Sequence, residues 1–212
     1  MSSRPQWLQP LVDALATQTP EQLFGLPEPP ADARRSAVLM LFGEGPDLLL
    51  TERSSSLRSH AGQLSFPGGS AEPDDADPVA TALREANEEV GLARDSVDVL
   101  GSLAPLWLPP SNHAVTTVVG WWKRPGALGP LDPAEVASVL RVPLSTLLDP
   151  ACRYTARHPL GYRGPAFSLP GGLVLWGFTA GLVSRIFDAA GWTQSWDVTR
   201  ELELPLSGGA RP

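Results

Sequence analysis

The sequence predicts an α/β (α+β) fold, an α/β/α sandwich in which a mixed β-sheet lies between helices. Three observations lead to this fold class. The chain has 212 residues, of which 42% are hydrophobic, which is enough for one packed domain over residues 1–212. Strand-like runs lie on both sides of one helical segment, and a second helical segment follows them. Strands and helices in this order favour a mixed sheet that is covered on both faces.

The first quarter of the chain predicts a helix and a hairpin. Apolar residues recur at helical spacing between residues 7 and 16, so we expect a short N-terminal helix that lies on the core. Two strand-like runs, 37–42 and 47–53, flank the turn sequence Gly-Glu-Gly-Pro. Two such runs joined by a glycine-containing turn predict a β-hairpin.

A central helix is predicted over residues 78–90. Asp77 suits the N-cap, because its carboxylate can accept a free backbone N–H, and Pro78 suits the first helical position. Gly91 suits the position after the last turn, where a left-handed residue commonly ends a helix.

The remaining chain predicts more strands and a last helix. The expected elements are strands at 97–103, 115–122 and 173–177 and a helix at 178–190. Residues 135–148 stay ambiguous between short helices and a strand broken by proline. Trp121 and Trp122 are neighbours on one strand, so one ring is expected in the core and the other outside it. The core is expected over about residues 34–191, with a peripheral tail at 193–212.

Composition and charge exclude several classes of protein. The chain has 16 Lys and Arg against 23 Asp and Glu, a net charge of −7, so it lacks the basic signature of nucleic-acid-binding proteins. No apolar run reaches the roughly 18 residues of a membrane span, and no secretory signal is visible. Cys152 is the single cysteine, which excludes an intramolecular disulfide. We therefore expect a cytoplasmic protein that binds neither nucleic acid nor membranes.

Three acidic residues share one face of the predicted central helix. Glu85, Glu88 and Glu89 stand at positions i, i+3 and i+4, where like charges repel by a few tenths of a kcal/mol per pair. A divalent cation would turn that repulsion into attraction, because hard cations such as Mg²⁺ prefer carboxylate oxygens. The alternative is a solvated acidic face on which Arg84 pairs with Glu88.

The same helix carries a family motif. The segment REANEEVGL, residues 84–92, resembles the second half of the Nudix box at each of its fixed positions, namely Arg84, Glu85, Ala86, Glu88, Glu89, Gly91 and Leu92. The first half of the box differs. Counting from Gly69, its acidic position falls on Asp75 instead of Glu, and eight residues instead of seven then precede Arg84. The resemblance implies that Asp75 pairs with Arg84, with Asp74 or Asp77 as substitutes.

The segment before the box resembles a narrower motif. Residues 49–69, LLTERSSSLRSHAGQLSFPGG, are similar to the additional motif of the coenzyme A subgroup of Nudix hydrolases. The matching positions are Leu49, Leu50, Thr51, Arg53, Ser54, Arg58, Gly62, Phe66, Pro67, Gly68 and Gly69. Together the two motifs cover 44 residues, from Leu49 to Leu92.

The resemblance implies a set of site residues. Glu85, Glu88 and Glu89 are expected to bind Mg²⁺ or Mn²⁺ and, with Arg84, to form the catalytic group. Substrate contacts are expected from two arginines and two glycines, namely Arg53, Arg58, Gly68 and Gly69. Glu135 is the candidate for an additional carboxylate outside the box, and the alternative for it is a surface acid at a helix start.

The expected reaction is metal-dependent hydrolysis of the diphosphate bond of coenzyme A or acyl-CoA. Its products would be 3′,5′-ADP and 4′-phosphopantetheine or the acyl derivative. One alternative is a Nudix diphosphatase for another nucleoside diphosphate derivative, such as ADP-ribose, a dinucleotide or a nucleoside triphosphate. A second alternative is a non-catalytic Nudix binding module. The expected partner is a small nucleotide substrate, and whether the chain forms a homodimer stays open.

Overall fold

Two β-sheets organise the part of the chain that the structure, a computed structural model, describes, namely residues 4–17, 28–57, 60–159 and 161–204. The helices within these ranges are α1 Gln9–Thr17, α2 Pro78–Val90, α3 Leu144–Leu148 and α4 Gly177–Ala189. The strands are β1 Arg34–Gly43, β2 Asp47–Arg53, β3 Leu64–Ser65, β4 Gly68–Ser70, β5 Val97–Ser102, β6 Leu106–Leu108, β7 His113–Trp122, β8 Val136–Pro143, β9 Arg153–Arg157, β10 Arg163–Leu169, β11 Leu173–Leu175 and β12 Glu201–Glu203.

The larger sheet is mixed, as predicted. Its main strand order is β3-β2-β1-β7-β5. Strands β1 and β7 run parallel over nine residue pairs, from Arg34↔His113 to Phe42↔Trp121, and the other pairings are antiparallel. Strand β4 pairs with the first half of β1, so the loop that carries Gly68 and Gly69 is fastened to the centre of the sheet.

Both faces of this sheet are covered, which confirms the sandwich architecture. On one face Ala82, Ala86 and Val90 of α2 pack against apolar residues of β1 and β7 that include Leu39 and Trp122. On the other face, α1 and α4 pack against side chains that include Met40, Phe42 and Trp121.

One expectation for this sheet was wrong. Trp121 and Trp122 do point to opposite faces, but both rings are buried, with 2% and 3% of each residue exposed. The predicted alternation of the two tryptophan side chains between the faces of the sheet is therefore confirmed. The second ring does not face outwards because helix α2 covers the face that it lies on.

The smaller sheet lies against α4 and has the strand order β11-β10-β9-β12. Its last strand comes from the tail that was expected at residues 193–212. Strand β12 runs parallel to β9, with Glu201 opposite Thr155 and Glu203 opposite Arg157. Leu204 follows it and is buried. Within the described residues, no helix has the length and apolar character that crossing a membrane requires.

The central helix has the predicted bounds and ends. The Asp77 carboxylate accepts a hydrogen bond from the N–H of Ala80 at 2.8 Å, and Pro78 is the first helical residue. Gly91 adopts a φ of 75° and ends the helix, because the left-handed conformation turns the chain away from the helix axis. The ambiguous region 135–148 contains strand β8 followed directly by α3.

Candidate active site

Helix α2 presents its three carboxylates at different depths. Glu89 is buried, with 9% of the residue exposed. The side chain of Glu85 is 18% exposed, whereas that of Glu88 is 56% exposed. The helix is held against the sheet by its apolar stripe, so its acidic side faces the loop around β4.

Two glycines let that loop approach the carboxylates closely. The backbone N–H of Gly68 donates a hydrogen bond to Oε2 of Glu89 at 3.2 Å. A Cβ on Gly69 would overlap the carboxylate of Glu85. A Cβ on Gly68 would collide with the backbone of Ala37 and Val38 in the neighbouring strand. Gly68 therefore excludes a side chain for steric reasons, whereas a side chain at Gly69 would displace the carboxylate of Glu85.

Arg84 joins the box loop to the acidic side of the helix. Its Nε and Nη2 donate to the two carboxylate oxygens of Asp75, at 3.1 and 2.9 Å. Its Nη2 also donates to the carbonyl of Ser70 at 2.9 Å. The predicted pairing of Asp75 with Arg84 is therefore confirmed. The guanidinium holds the pKa of Asp75 well below its usual range, and the same contact raises the pKa of Arg84.

The same arginine reaches the acidic cluster. Its Nη1 donates to Glu85 Oε1 at 3.1 Å and to Glu88 Oε2 at 2.9 Å. The alternative interpretation of the sequence was a solvated face on which Arg84 pairs with Glu88, but the arginine is itself buried, with 8% of the residue exposed. Arg84 thus neutralises part of the repulsion between the acids from within the protein.

Burial raises the pKa of Glu89 to about 7. This value includes a smaller rise from the charge of Glu85 and opposing effects of the N–H of Gly68 and the charge of Arg53, which lower the pKa. The pKa of Glu85 is also raised, mainly by burial, and Arg84 opposes that shift. The charge of Glu135 raises the pKa of both Glu85 and Glu89, so this residue lies within electrostatic reach of the cluster.

Arg53 and Glu135 lie in two neighbouring segments of the larger sheet. Arg53 ends β2 at a register shift, where it lies opposite Val136. Among the described residues its buried Nε has no hydrogen-bond partner. The N–H of Ser54 donates to the carbonyl of Glu135 at 2.8 Å, which brings the two segments together. Arg58 lies outside the described residues.

The arrangement of these carboxylates bears on whether the site can hold a divalent cation. No three Asp, Glu, His or Cys side chains among the described residues are grouped closely enough to hold a metal ion as they stand. The reason is that Glu85 and Glu88 each direct an oxygen to Arg84, and Glu89 directs one to Gly68. The donors are nevertheless hard carboxylate oxygens, which are the ligands that Mg²⁺ and Mn²⁺ prefer.

Two cavities lie near the sheet. One of about 470 Å³ borders the box loop at Asp75 and the first turn of α2 at Thr81. Another of about 640 Å³ lies by β10 and α4 and shares no residue with the acidic cluster. The chemistry of the carboxylates, and not the size of the larger cavity, therefore marks the candidate site.

Sequence reasoning missed the segment that covers the end of α2. The N–H groups of Gly129 and Leu131 donate to the carbonyls of Val90 and Glu89, at 3.2 and 3.0 Å. The sequence signals were the turn dipeptides Gly129-Pro130 and Asp132-Pro133, which do not reveal which element the turn contacts.

Comparison with known proteins agrees with this geometry. Residues 32–159, more than half of the chain, match the NUDIX domain. The chain therefore belongs to the Nudix family. This is a family of hydrolases that act on nucleoside diphosphate derivatives and generally use divalent metal ions.

The relatives cover different parts of the chain. The protein "Uncharacterized Nudix hydrolase NudL" of Photorhabdus laumondii is 49% identical over 129 residues, which are 58% of this chain and 68% of that protein. "Nudix hydrolase 15, mitochondrial" of Arabidopsis thaliana is 39% identical over 165 residues, which are 72% of this chain and 57% of that protein. The chain thus spans less than two thirds of the plant relative.

A solved structure shares the fold. The NUDIX hydrolase from Nitrosomonas europaea superposes with a TM-score of 0.52 at 13% sequence identity, over 82% of this chain and 81% of that one. At this identity the likeness extends to the fold alone.

Proposed function

We propose that this protein hydrolyses the diphosphate bond of coenzyme A or acyl-CoA in the presence of Mg²⁺ or Mn²⁺. The products are 3′,5′-ADP and 4′-phosphopantetheine or its acyl derivative. Support for this substrate comes from the segment 49–69, which resembles the motif of the coenzyme A subgroup. A cytoplasmic site for the reaction agrees with a chain that has a single cysteine.

The carboxylates of α2 form the cation site of this proposal. Glu85, Glu88 and Glu89 are the residues that would hold the ion. When bound, the cation supplies charge neutralisation and polarises the phosphoryl oxygens of the substrate. Gly69 leaves the space in which the loop backbone and the diphosphate can come near Glu85.

Arg53 is assigned to the diphosphate. Its guanidinium can give forked hydrogen bonds to phosphate oxygens, and its buried Nε is without a partner among the described residues. Its charge lowers the pKa of Glu89, which supports a place for this arginine beside the box carboxylates. Arg58 is assigned to another phosphate of coenzyme A on the strength of the motif alone.

One observation carries the proposal. Gly68 of the motif segment 49–69 donates its backbone N–H to Oε2 of the box carboxylate Glu89 at 3.2 Å, although the two residues are 21 positions apart in the sequence. This contact supports the proposal that the coenzyme A motif and the Nudix box contribute to a single site. That is the arrangement expected if the motif selects the substrate that the box cleaves.

A substrate panel tests the proposal. Coenzyme A, acetyl-CoA, dephospho-CoA, ADP-ribose, a diadenosine polyphosphate and a nucleoside triphosphate are each incubated with Mg²⁺ or Mn²⁺, and the products are identified by mass spectrometry. We expect 3′,5′-ADP from coenzyme A, and a higher kcat/KM for coenzyme A than for dephospho-CoA, which lacks the 3′-phosphate. Preferred cleavage of ADP-ribose, the dinucleotide or the triphosphate would assign a different substrate.

Variants separate catalysis from folding. Glu89→Gln keeps the shape of the side chain and should abolish turnover, whereas Arg53→Gln should lower kcat/KM for coenzyme A by about 10–100-fold. Arg124→Gln is the control, because the side chain of Arg124 is 61% exposed and pairs with Asp95 outside the site. A wild-type chain that binds coenzyme A but turns over no substrate would indicate a binding module. Sedimentation of the same samples decides between monomer and homodimer.

A further inference from the structure

The cavity of about 640 Å³ extends along helix α4, between this helix, the strands β6 and β10 and the chain around Trp196. Its lining residues on α4 run from Gly177 to Asp188. At a rise of 1.5 Å per residue, the groove beside the helix is about 16 Å long. Its other walls include the apolar residues Leu106, Leu108, Pro165, Trp196 and Val198. The cavity thus has a length and a lining that suit a chain of carbon atoms.

Gly181 keeps the middle of this cavity open. It lies in the interior of α4, where glycine is less favourable than alanine. Its φ angle is not in the left-handed region, and a Cβ at this position would have no neighbour within 4 Å. Neither the backbone conformation nor the packing of the described residues therefore requires glycine here. A larger side chain at this position would occupy the cavity.

A buried cation lies behind the cavity. Arg153 is 3% exposed, and its guanidinium lies over the rings of Phe167 and Trp196, at 5.2 and 5.0 Å from their centroids. Its hydrogen bonds within the described chain go to hydroxyl oxygens, from Nη2 to Ser184 at 2.7 Å and from Nη1 to Thr193 at 3.3 Å. None of these partners carries a negative charge. The guanidinium therefore attracts an anion that comes near it, because a buried charge is costly without an opposite one.

Ser184 connects this cation to the cavity. The residue lines the cavity, and its hydroxyl oxygen accepts the hydrogen bond from Arg153. Its own hydrogen is thus free to donate, and no described residue accepts it. An acceptor inside the cavity can take this hydrogen bond, which the neighbouring guanidinium strengthens.

The charged residues of the cavity favour an anion. Its lining includes the arginines Arg163 and Arg185 and the acid Asp188. Arg163 is paired with Glu201 at 3.5 Å. Once Arg153 behind the lining is counted, an excess of positive charge remains after both acids are taken into account. A ligand with one negative charge is therefore complementary to the cavity.

We propose that this cavity is a second ligand site, separate from the acidic cluster, and that it binds a small carboxylate with an apolar body. The carbon chain lies along α4 beside Gly181, and the carboxylate accepts the hydrogen bond of Ser184 in front of Arg153. The lining contains none of the residues of the acidic cluster, so the site goes beyond the proposed function and does not depend on it.

Calorimetric titration with octanoate, below its micellar concentration, tests the site without substrate or metal ion. Wild type should bind octanoate about tenfold more tightly than octanol, because hydrogen bonds to charged groups are the stronger ones. Gly181→Leu should abolish binding, because the leucine side chain fills the cavity, and it should not weaken the helix, because leucine is the better helix former. Gly126→Leu is the matched control, since Gly126 also has no neighbour within 4 Å but lies outside the cavity.

The two hydroxyl groups that Arg153 contacts give a second comparison. Ser184→Ala should weaken octanoate binding by about tenfold and remove most of the preference over octanol. Thr193→Ala removes the other hydroxyl from the same guanidinium, but Thr193 does not line the cavity, so octanoate affinity should keep its wild-type value. The melting temperatures of both variants show that they are folded at the temperature of the titration.

The inference is overturned if wild type takes up no octanoate at millimolar concentration, if it binds octanol as tightly, or if Gly181→Leu binds octanoate like wild type. An equal loss of affinity in Ser184→Ala and Thr193→Ala would overturn the place of the carboxylate.

Hydrolysis of coenzyme A and octanoyl-CoA by Gly181→Leu separates the inference from the proposed function. Both kcat/KM values should match those of wild type. A value lowered for octanoyl-CoA alone would assign the cavity to the acyl chain of the substrate and overturn a separate site. If wild type cleaves neither compound, the proposed function fails, whereas octanoate binding that Gly181→Leu abolishes still supports the second site.

Discussion

Among the described residues that we assign to the site, Glu89 has a buried carboxyl group whose pKa is strongly raised. Glu89 packs under the loop that carries Gly68, and its pKa of about 7 lies well above the ordinary 4.5 because burial disfavours its charge. A group with a raised acid pKa binds its proton more tightly in the folded than in the unfolded chain. Between the two pKa values, rising pH therefore removes stability from the cation-free protein.

The first prediction concerns this pH dependence. In EDTA, the free energy of unfolding of the wild type should fall between pH 5 and pH 8 by up to about 3 kcal/mol more than that of Glu89→Gln, whose amide does not titrate. Urea unfolding at both pH values gives the comparison. Titrating groups that do not interact with Glu89 contribute equally to both proteins. Parallel pH profiles of the two proteins would contradict the raised pKa of Glu89.

At the level of the element, the residues that begin and end helix α2 fix the position of its carboxylates along the chain. Asp77 and Pro78 start the helix, and Gly91 stops it, with the N–H of Leu92 donating to the carbonyl of Ala86 at 3.3 Å. The last turn of the helix also accepts the N–H groups of Gly129 and Leu131. A change of backbone conformation at Gly91 is therefore expected to disturb both the end of the helix and the segment that follows Gly129.

The second prediction follows from the left-handed conformation of Gly91. Gly91→Ala should lower the free energy of unfolding by about 1–2 kcal/mol, because a Cβ is disfavoured at its φ of 75°. Chemical denaturation measures the loss. Gly126→Ala is the control, since Gly126 is exposed, has no neighbour within 4 Å and is not in the left-handed region. A Gly91→Ala protein as stable as that control would contradict the role of the cap.

At the level of the whole molecule, the first helix belongs to the main core. Leu8 and Leu11 are fully buried with residues of the sheet and of α4. The ring of Trp7 lies 6.2 Å from that of Phe42 and 6.0 Å from that of Trp192. The N-terminal helix therefore contributes to the stability of the face of the sheet opposite the acidic cluster.

The third prediction tests this separation of stability from chemistry. Leu11→Ala should lower the free energy of unfolding by about 2–5 kcal/mol, because it leaves a cavity in the core. The folded variant should keep the wild-type kcat at a temperature well below its melting point. Ala16→Ser, at an exposed position of the same helix, should change neither value. A lower kcat in folded Leu11→Ala protein would show that α1 also shapes the site.

The features that the sequence predicted correctly depend on residues that are close together in the sequence. The bounds of α2 and the shared face of its three glutamates follow from caps and spacing within 15 residues. The burial of Trp122 and the pairing of β12 with β9 escaped prediction because they depend on elements far apart in the chain. The choice of Asp75 over Asp74 or Asp77 as the partner of Arg84 likewise required the folded loop.

The C-terminal strand has a practical consequence. The N–H of Thr155 donates to the carbonyl of Arg200 at 2.8 Å, and the carbonyl of Arg157 accepts the N–H of Leu204 at 2.8 Å. A recombinant chain that stopped before Arg200 would lack these hydrogen bonds and would leave β9 as an exposed edge strand. Bare edges recruit strands from other molecules. We therefore expect chains truncated before Arg200 to aggregate on expression, even though the residues of the candidate active site are intact.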